Sequence, residues 1–203
     1  MNKNPRFILG LTGSIAMGKT TVSNMFRKFG VPVWCADNEV NSLYSKNGAA
    51  TKIFIKDFPS VLTKTGVDKK KLRNLIHKDN SILKKIEEIV HPLLRKSRNS
   101  FAELYKNDPI IIYDIPLLFE KNQEKNFDAI VLVTASEITQ QTRVLRRKNM
   151  TEKDYKLIKR NQLSEEDKLK RADFIINTDK SLSETQKDVI DLYRKLKNET
   201  LLK

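Results

Sequence analysis

Phe7-Ile8-Leu9-Gly10-Leu11 runs through Thr12 into Gly13-Ser14-Ile15-Ala16-Met17-Gly18-Lys19-Thr20, and a helical stretch from Thr20 to Phe29 follows at once. Residues 13–20 match G-x-x-x-x-G-K-[ST] in full, with a short apolar strand before the motif and a helix after it, which is the context that gives the pattern its meaning. Glycines at both ends let the backbone turn tightly and aim several N–H groups inward, and the helix N-terminus adds partial positive charge where phosphates sit. Gly13, Ser14, Ile15, Ala16, Met17, Gly18, Lys19, Thr20 and Thr21 are therefore the expected nucleotide contacts. Lys19 is expected to reach the β- and γ-phosphates of a bound nucleotide and to act where their bond is broken, and the Thr20 hydroxyl to ligate Mg²⁺. An ordinary strand-turn-helix has no need of both glycines, the lysine and the threonine in one register.

Outward from this loop, short β-rich runs alternate with longer helical ones. Phe7 to Leu11, Val31 to Trp34, Ile110 to Ile115, Ala129 to Thr134 and Phe174 to Ile176 read as five strands. Such alternation predicts an α/β fold with a five-stranded parallel sheet between helices. Ile110 to Ile112 and Ile130 to Val133 are continuously apolar, as in strands covered on both faces. Helical spacing is read over Thr20 to Phe29, Asp37 to Tyr44, Asp68 to His77, Asn80 to Tyr105, Ser136 to Lys148 and Ser183 to Lys197. The interval from Asn47 to Asn107 contains no convincing strand and far exceeds one crossover helix, so an inserted helical subdomain is expected over 47–107. Asn149 to Arg171 is charged and poor in large apolar residues, with Thr151 and Ser164 as helix-start signals. With the preceding helix it makes a lid over 137–171. The nucleotide-binding core is then 1–46, 108–136 and 172–203.

A chain of 203 residues buries one full core and not two. No apolar run approaches the roughly 20 residues that cross a bilayer, Met1 to Arg6 lead into a strand without a cleavage site, and the one cysteine, Cys35, excludes an internal disulfide. A cytoplasmic protein with no membrane partner is expected, as a monomer or weak homo-oligomer. The net charge of +14 admits an anionic small ligand or a nucleic acid. The lysines are spread along the chain and aromatic residues are 7% of it, without a basic-aromatic stripe to stack bases, so no nucleic acid is expected.

The loop alone does not choose among nucleotide-hydrolysing motors, GTPases and kinases. A GTPase needs Asn-Lys-x-Asp late in the chain, and the nearest string, Asn177-Thr178-Asp179-Lys180, has the wrong order. The length excludes a motor and leaves a small-molecule kinase. Phosphoryl transfer asks for a base or orienting group at the acceptor, a metal and cations on the transferring group. Asp37, after the second strand, is the candidate general base, with a helix N-cap as its alternative role. Asp114, at the end of a buried strand, reads as a metal-side or substrate-side carboxylate, or else as a structural acid capping a loop. Arg143 and Arg147 share a helix face, with Arg146 beside them, and either clamp phosphates or form a solvated basic face.

Further strings carry a resemblance. Gly30-Val31-Pro32-Val33 followed by Ala36-Asp37, His91-Pro92-Leu93-Leu94-Arg95, Asp114-Ile115-Pro116-Leu117-Leu118-Phe119-Glu120, Gln140 to Arg147, and Gln162, Lys168, Ala172-Asp173 and Asn177 are similar to the signatures of the dephospho-coenzyme A kinases. The match runs from the first strand to about Asn177. Asp-x-Pro-Leu-Leu-Phe-Glu and His-Pro-Leu-Leu-Arg are far more specific than the phosphate loop. The resemblance implies a three-layer P-loop NTPase fold with a helical substrate-binding insertion and a helical lid. It also implies ATP and Mg²⁺ as cofactors, and phosphorylation of the ribose 3′-hydroxyl of dephospho-coenzyme A. It casts Asp37 as base, Arg143 and Arg147 as lid cations, and His91 and Arg95 as substrate-side residues; Asp114 and Leu117 are placed with the substrate side, and Thr20 with Asp114 on the metal side. One departure stands out: the family commonly has Asp-Ala-Asp where this chain has Cys35-Ala36-Asp37.

Overall fold

The computed structural model describes residues 6–147 and 150–201, without the side chains of residue 153 and residues 199–201. It divides into two compact units, one ending at Trp34 and resuming at Tyr105, the other spanning Cys35–Leu104.

The first unit is built on strands β1 (Phe7–Thr12), β2 (Val33–Cys35), β5 (Ile110–Asp114), β6 (Ala129–Thr134) and β7 (Phe174–Asn177), in the order β2-β5-β1-β6-β7. β1 is central and parallel to both neighbours, with Leu9 between Ile112 and Ala129 and Leu11 between Asp114 and Val131. Leu9, Leu11, Ile111, Ile112, Val131, Leu132 and Val133 are wholly buried, so both faces of the central strands are covered, as their unbroken apolar runs require. Helix α1 (Lys19–Lys28) and the C-terminal helix α9 (Leu182–Leu201) close one face: Val22 and Phe26 share a core with Val189, Leu192 and Leu196, and Phe29 stacks on Tyr193 at 5.8 Å.

The described residues of 137–171 lie within this unit and form helices α6 (Glu137–Leu145), α7 (Glu152–Arg160) and α8 (Glu165–Arg171). Their starts follow from side-chain oxygens: the Ser136 hydroxyl accepts from the Thr139 amide at 3.3 Å at the start of α6. Thr151 and Asp154 make a reciprocal capping box, and the Ser164 hydroxyl accepts from the Asp167 amide at 3.1 Å. The helix expected to run to Lys148 ends at Leu145, and residue 148 lies outside the described residues.

The second unit contains α2 (Ala36–Leu43), α3 (Ala49–Asp57), α4 (Lys69–Lys78) and α5 (Ser81–Leu104) around Phe54, Phe58, Val61, Leu72, Ile86 and Val90. It starts at Cys35 rather than at 47, because α2 packs on α5. The expectation of a strandless interval is corrected: β3 (Leu62–Thr63) and β4 (Gly66–Val67) form an antiparallel hairpin. Two-residue strands are too short to show the alternation by which strands are recognised in a sequence. Asp68 caps α4, accepting from the amides of Lys70 and Lys71 at 2.8 and 3.0 Å.

Candidate active site

The loop 13–18 leaves the C-terminal end of the central strand and enters α1 through Gly18. Gly13 lies so close to β6 that an added Cβ would stand 2.5 Å from the Val133 carbonyl oxygen, a contact no side chain can make. Gly18 has φ 87°, and a Cβ there would meet the Thr178 hydroxyl at 3.0 Å. Ala16, at φ 60°, holds the left-handed region without a glycine's freedom, local strain of the kind that clusters at functional sites. The motif's two glycines thus answer two different demands, close approach and backbone sign.

Asp114 is the acid at the heart of this end of the sheet. Parallel pairing sets it beside Leu11, and it is 2% exposed. Its two oxygens are both engaged: Lys19 Nζ donates to Oδ1 at 2.5 Å, and Ser23 Oγ to Oδ2 at 2.7 Å. Lys19 and Ser23 stand one helical turn apart on α1, so a single face of that helix presents a cation and a hydroxyl to one carboxylate. Asp114 therefore holds the P-loop lysine, and Ser23, which the sequence reading missed, completes the pair. Its spacing of four from Lys19 was the available signal.

A second network grips the first half of the loop. Gln140 Nε2 donates to the Ile15 carbonyl at 2.9 Å, and the buried Tyr155 hydroxyl donates to Gln140 Oε1 at 2.9 Å. The Ile15 N–H donates to Gln162 Oε1 at 3.2 Å. Arg143 is half-buried, and its guanidinium donates to the Thr178 hydroxyl at 2.8 Å and the Thr178 carbonyl at 2.7 Å. The Thr178 hydroxyl in turn donates to the Met17 carbonyl at 2.9 Å. Asp179 sits at the start of α6, where its carboxylate accepts from the Ser136 amide at 2.6 Å. Hydrogen bonding to the Thr139 side chain, then to Ser136, together with the nearby Arg143 charge, holds it below the usual carboxylate range. Beside the loop lies a cavity of about 460 Å³ whose lining includes Ser14, Met17, Gln140, Lys159, Arg160 and Gln162.

The remaining expected residues are more open. Arg147 lies exposed just beyond α6, and Thr20 is exposed in the first turn of α1, with Thr21 beside it. Leu117, 39% exposed, sits in the turn after β5, between the buried Ile115 and Leu118. In the second unit Asp37 is an exposed residue in the first turn of α2. Cys35 occupies the N-cap position there, so the capping role weighed for Asp37 is not the one it takes. His91 and Arg95 are exposed on α5, one turn apart on either side of Pro92, which lies inside the helix. Among the described residues no group of three or more His, Cys, Asp or Glu side chains is placed to hold a metal ion, and no helix is long and apolar enough to cross a membrane.

A family model described as dephospho-CoA kinase matches residues 7–184. The chain belongs to the dephospho-CoA kinase family. A member from Jannaschia sp. (strain CCS1), named dephospho-CoA kinase, is 43% identical over 190 residues, which are 94% of this chain and 97% of the relative. Among solved structures, a protein from Thermus thermophilus superposes with a TM-score of 0.77 at 29% identity, covering 93% of this chain and 96% of that one. The dephospho-CoA kinase of Campylobacter jejuni shares the fold, with a TM-score of 0.64 at 22% identity, over 94% of this chain and 97% of its own. Family membership makes the chain an ATP-dependent kinase and its fold that of the P-loop kinases.

Proposed function

We propose that this chain transfers the γ-phosphoryl group of ATP to the ribose 3′-hydroxyl of dephospho-coenzyme A. The observation that carries the reading is the loop from Gly13 to Thr20, placed at the end of the central strand with Lys19 oriented by Asp114, in a chain of the dephospho-CoA kinase family. Phosphoryl transfer is governed mainly by position and charge. The loop amides and the N-terminus of α1 hold the β- and γ-phosphates, Lys19 follows the charge that develops between them, and Arg143 and Arg147 add cations at the start of the lid. Asp37, exposed and carried on a helix, accepts the proton of the attacking hydroxyl. His91, Arg95 and Leu117 belong to the acceptor side.

The donor set suits a magnesium ion held largely by the nucleotide's own phosphates. Thr20 offers an exposed hydroxyl, while Asp114, whose oxygens are taken by Lys19 and Ser23, would reach the ion through its water shell or once Lys19 turns to the phosphates; Mg²⁺ ordinarily takes one or two protein groups beside phosphate and water. The ion would supply charge neutralisation between the β- and γ-phosphates.

The test is a competition assay with ATP and magnesium, offering dephospho-coenzyme A against nucleosides, nucleoside monophosphates and shikimate. Turnover of dephospho-coenzyme A at a rate well above the others is expected. A preference for any of the other acceptors would retire the substrate assignment and leave the kinase assignment standing.

A further inference from the structure

Among the described residues Lys168 is the lysine that is completely buried, at 0% exposure. Taking an ammonium group wholly out of water is unfavourable unless a counter-charge and further hydrogen bonds meet it. Here Glu120 Oε1 lies 2.9 Å from Nζ, while the other contact is neutral: Nζ donates to the hydroxyl of Ser14, 2.9 Å away in the phosphate loop. Apolar side chains in place of both Lys168 and Glu120 would fill the site with little or no loss of stability. Burial alone therefore does not account for a charge here, and what the charge touches does.

We infer that Lys168 is a positioning residue of the phosphate loop, fixing Ser14 and with it the turn from Gly13 to Ile15. This rests on the reading that the loop holds the phosphates of ATP. Residues 13–18 lie between β1 and α1, outside any strand ladder, so the directions of their amides are not set by secondary structure. Side chains from residues 162–168, together with Gln140, hold the first half of the loop. Lys168 donates to Ser14, and Ser14 donates to Glu165 Oε2 at 3.3 Å, one turn earlier on the same short helix. Glu120, which balances Lys168, also accepts from the Leu163 amide at 3.0 Å. Gln162, the residue before it, accepts from the Ile15 N–H. One buried ammonium thus ties the loop's second residue to Glu120, in the turn after β5, and to the turn that carries Gln162. A loop held in its binding conformation in advance binds phosphate without an ordering penalty, and one released from Lys168 does not.

The experiment uses the whole chain and measures ATP binding in the presence of Mg²⁺ without acceptor, alongside thermal melting. Lys168→Met with Glu120→Gln removes both charges and keeps an acceptor for the Leu163 amide. Its melting temperature is expected to stay within about 3 °C of the parent. Its ATP Kd is expected to rise roughly ten-fold, the scale of one lost charge-assisted hydrogen bond. Ser14→Ala is expected to weaken binding comparably in the parent and to add nothing in the pair variant, since both act through one contact. Parental ATP affinity in the pair variant overturns the inference, as does full additivity of the two changes. If the pair variant does not fold, parental affinity in Ser14→Ala overturns it and a weakened one supports it. A parent chain that fails to bind ATP is a different result, and it overturns the reading of the loop itself.

Discussion

Asp114→Asn probes the joint between the sheet and the phosphate loop. The substitution keeps the shape and leaves an oxygen to accept from Ser23, so the 2.7 Å bond has a replacement. It removes the negative charge that meets Lys19 Nζ at 2.5 Å and turns an amide N–H₂ toward an ammonium. Breaking a buried ion pair by deleting one partner costs about 3–5 kcal/mol, because the surviving charge is left uncompensated. The Lys19 side chain is 12% exposed against 3% for Asp114, so some water reaches the ammonium and the lower end, about 3 kcal/mol, applies. In a chain of this size each kcal/mol moves the midpoint by roughly 2–4 °C, so a fall of about 6–12 °C is expected. The assay is calorimetric or dichroic melting at neutral pH without nucleotide. Added salt should change the difference little, because a buried pair is poorly screened. Lys19→Met in the Asp114→Asn background should recover much of the loss, since no charge is then left alone. A single variant melting within about 2 °C of the parent would refute the argument that this carboxylate balances the loop lysine.

Asp37→Asn should lower kcat by on the order of 10²-fold or more with an unchanged melting temperature, since the residue is exposed; near-normal kcat would remove the base assignment. Gly18→Ala forces a Cβ onto φ 87° and against Thr178, and should cost about 1–2 kcal/mol and weaken ATP binding, measured by melting and titration. Asp179→Asn should destabilise the chain at neutral pH. Its carboxyl is depressed in the fold, so its contribution is present above the unfolded value near ~3.9 and disappears as pH falls through the lower folded value. The melting curves of parent and variant should therefore converge in strong acid, and a gap that persists there would exclude the charge as its cause.

Some of this molecule is written locally in its chain. The Gly13 to Thr20 register, the apolar runs around Leu9, Ile112 and Val131, and the capping signals at Thr151 and Ser164 each depend on neighbours a few residues away, so reading them in order locates the strand, loop and helices that bear them. The hairpin at Leu62–Thr63 and Gly66–Val67 was not legible, because two residues a side carry no period. Nor was the start of the second unit at Cys35, which depends on where α2 packs rather than on any break in composition. Asp37, Asp114 and Arg143 could be picked out as types, but what each touches could not. Asp114 meets Lys19 across 95 residues, and Lys168 meets Ser14 across 154. Separations of that length are closed by the parallel register of β1 with β5 and by the return of α8 to the loop. The chain by itself therefore determined the family and the phosphate-binding chemistry, which reside in contiguous motifs. Tertiary structure decided which charges balance which, because a buried ion pair exists only where the fold brings its two halves together and excludes water from both.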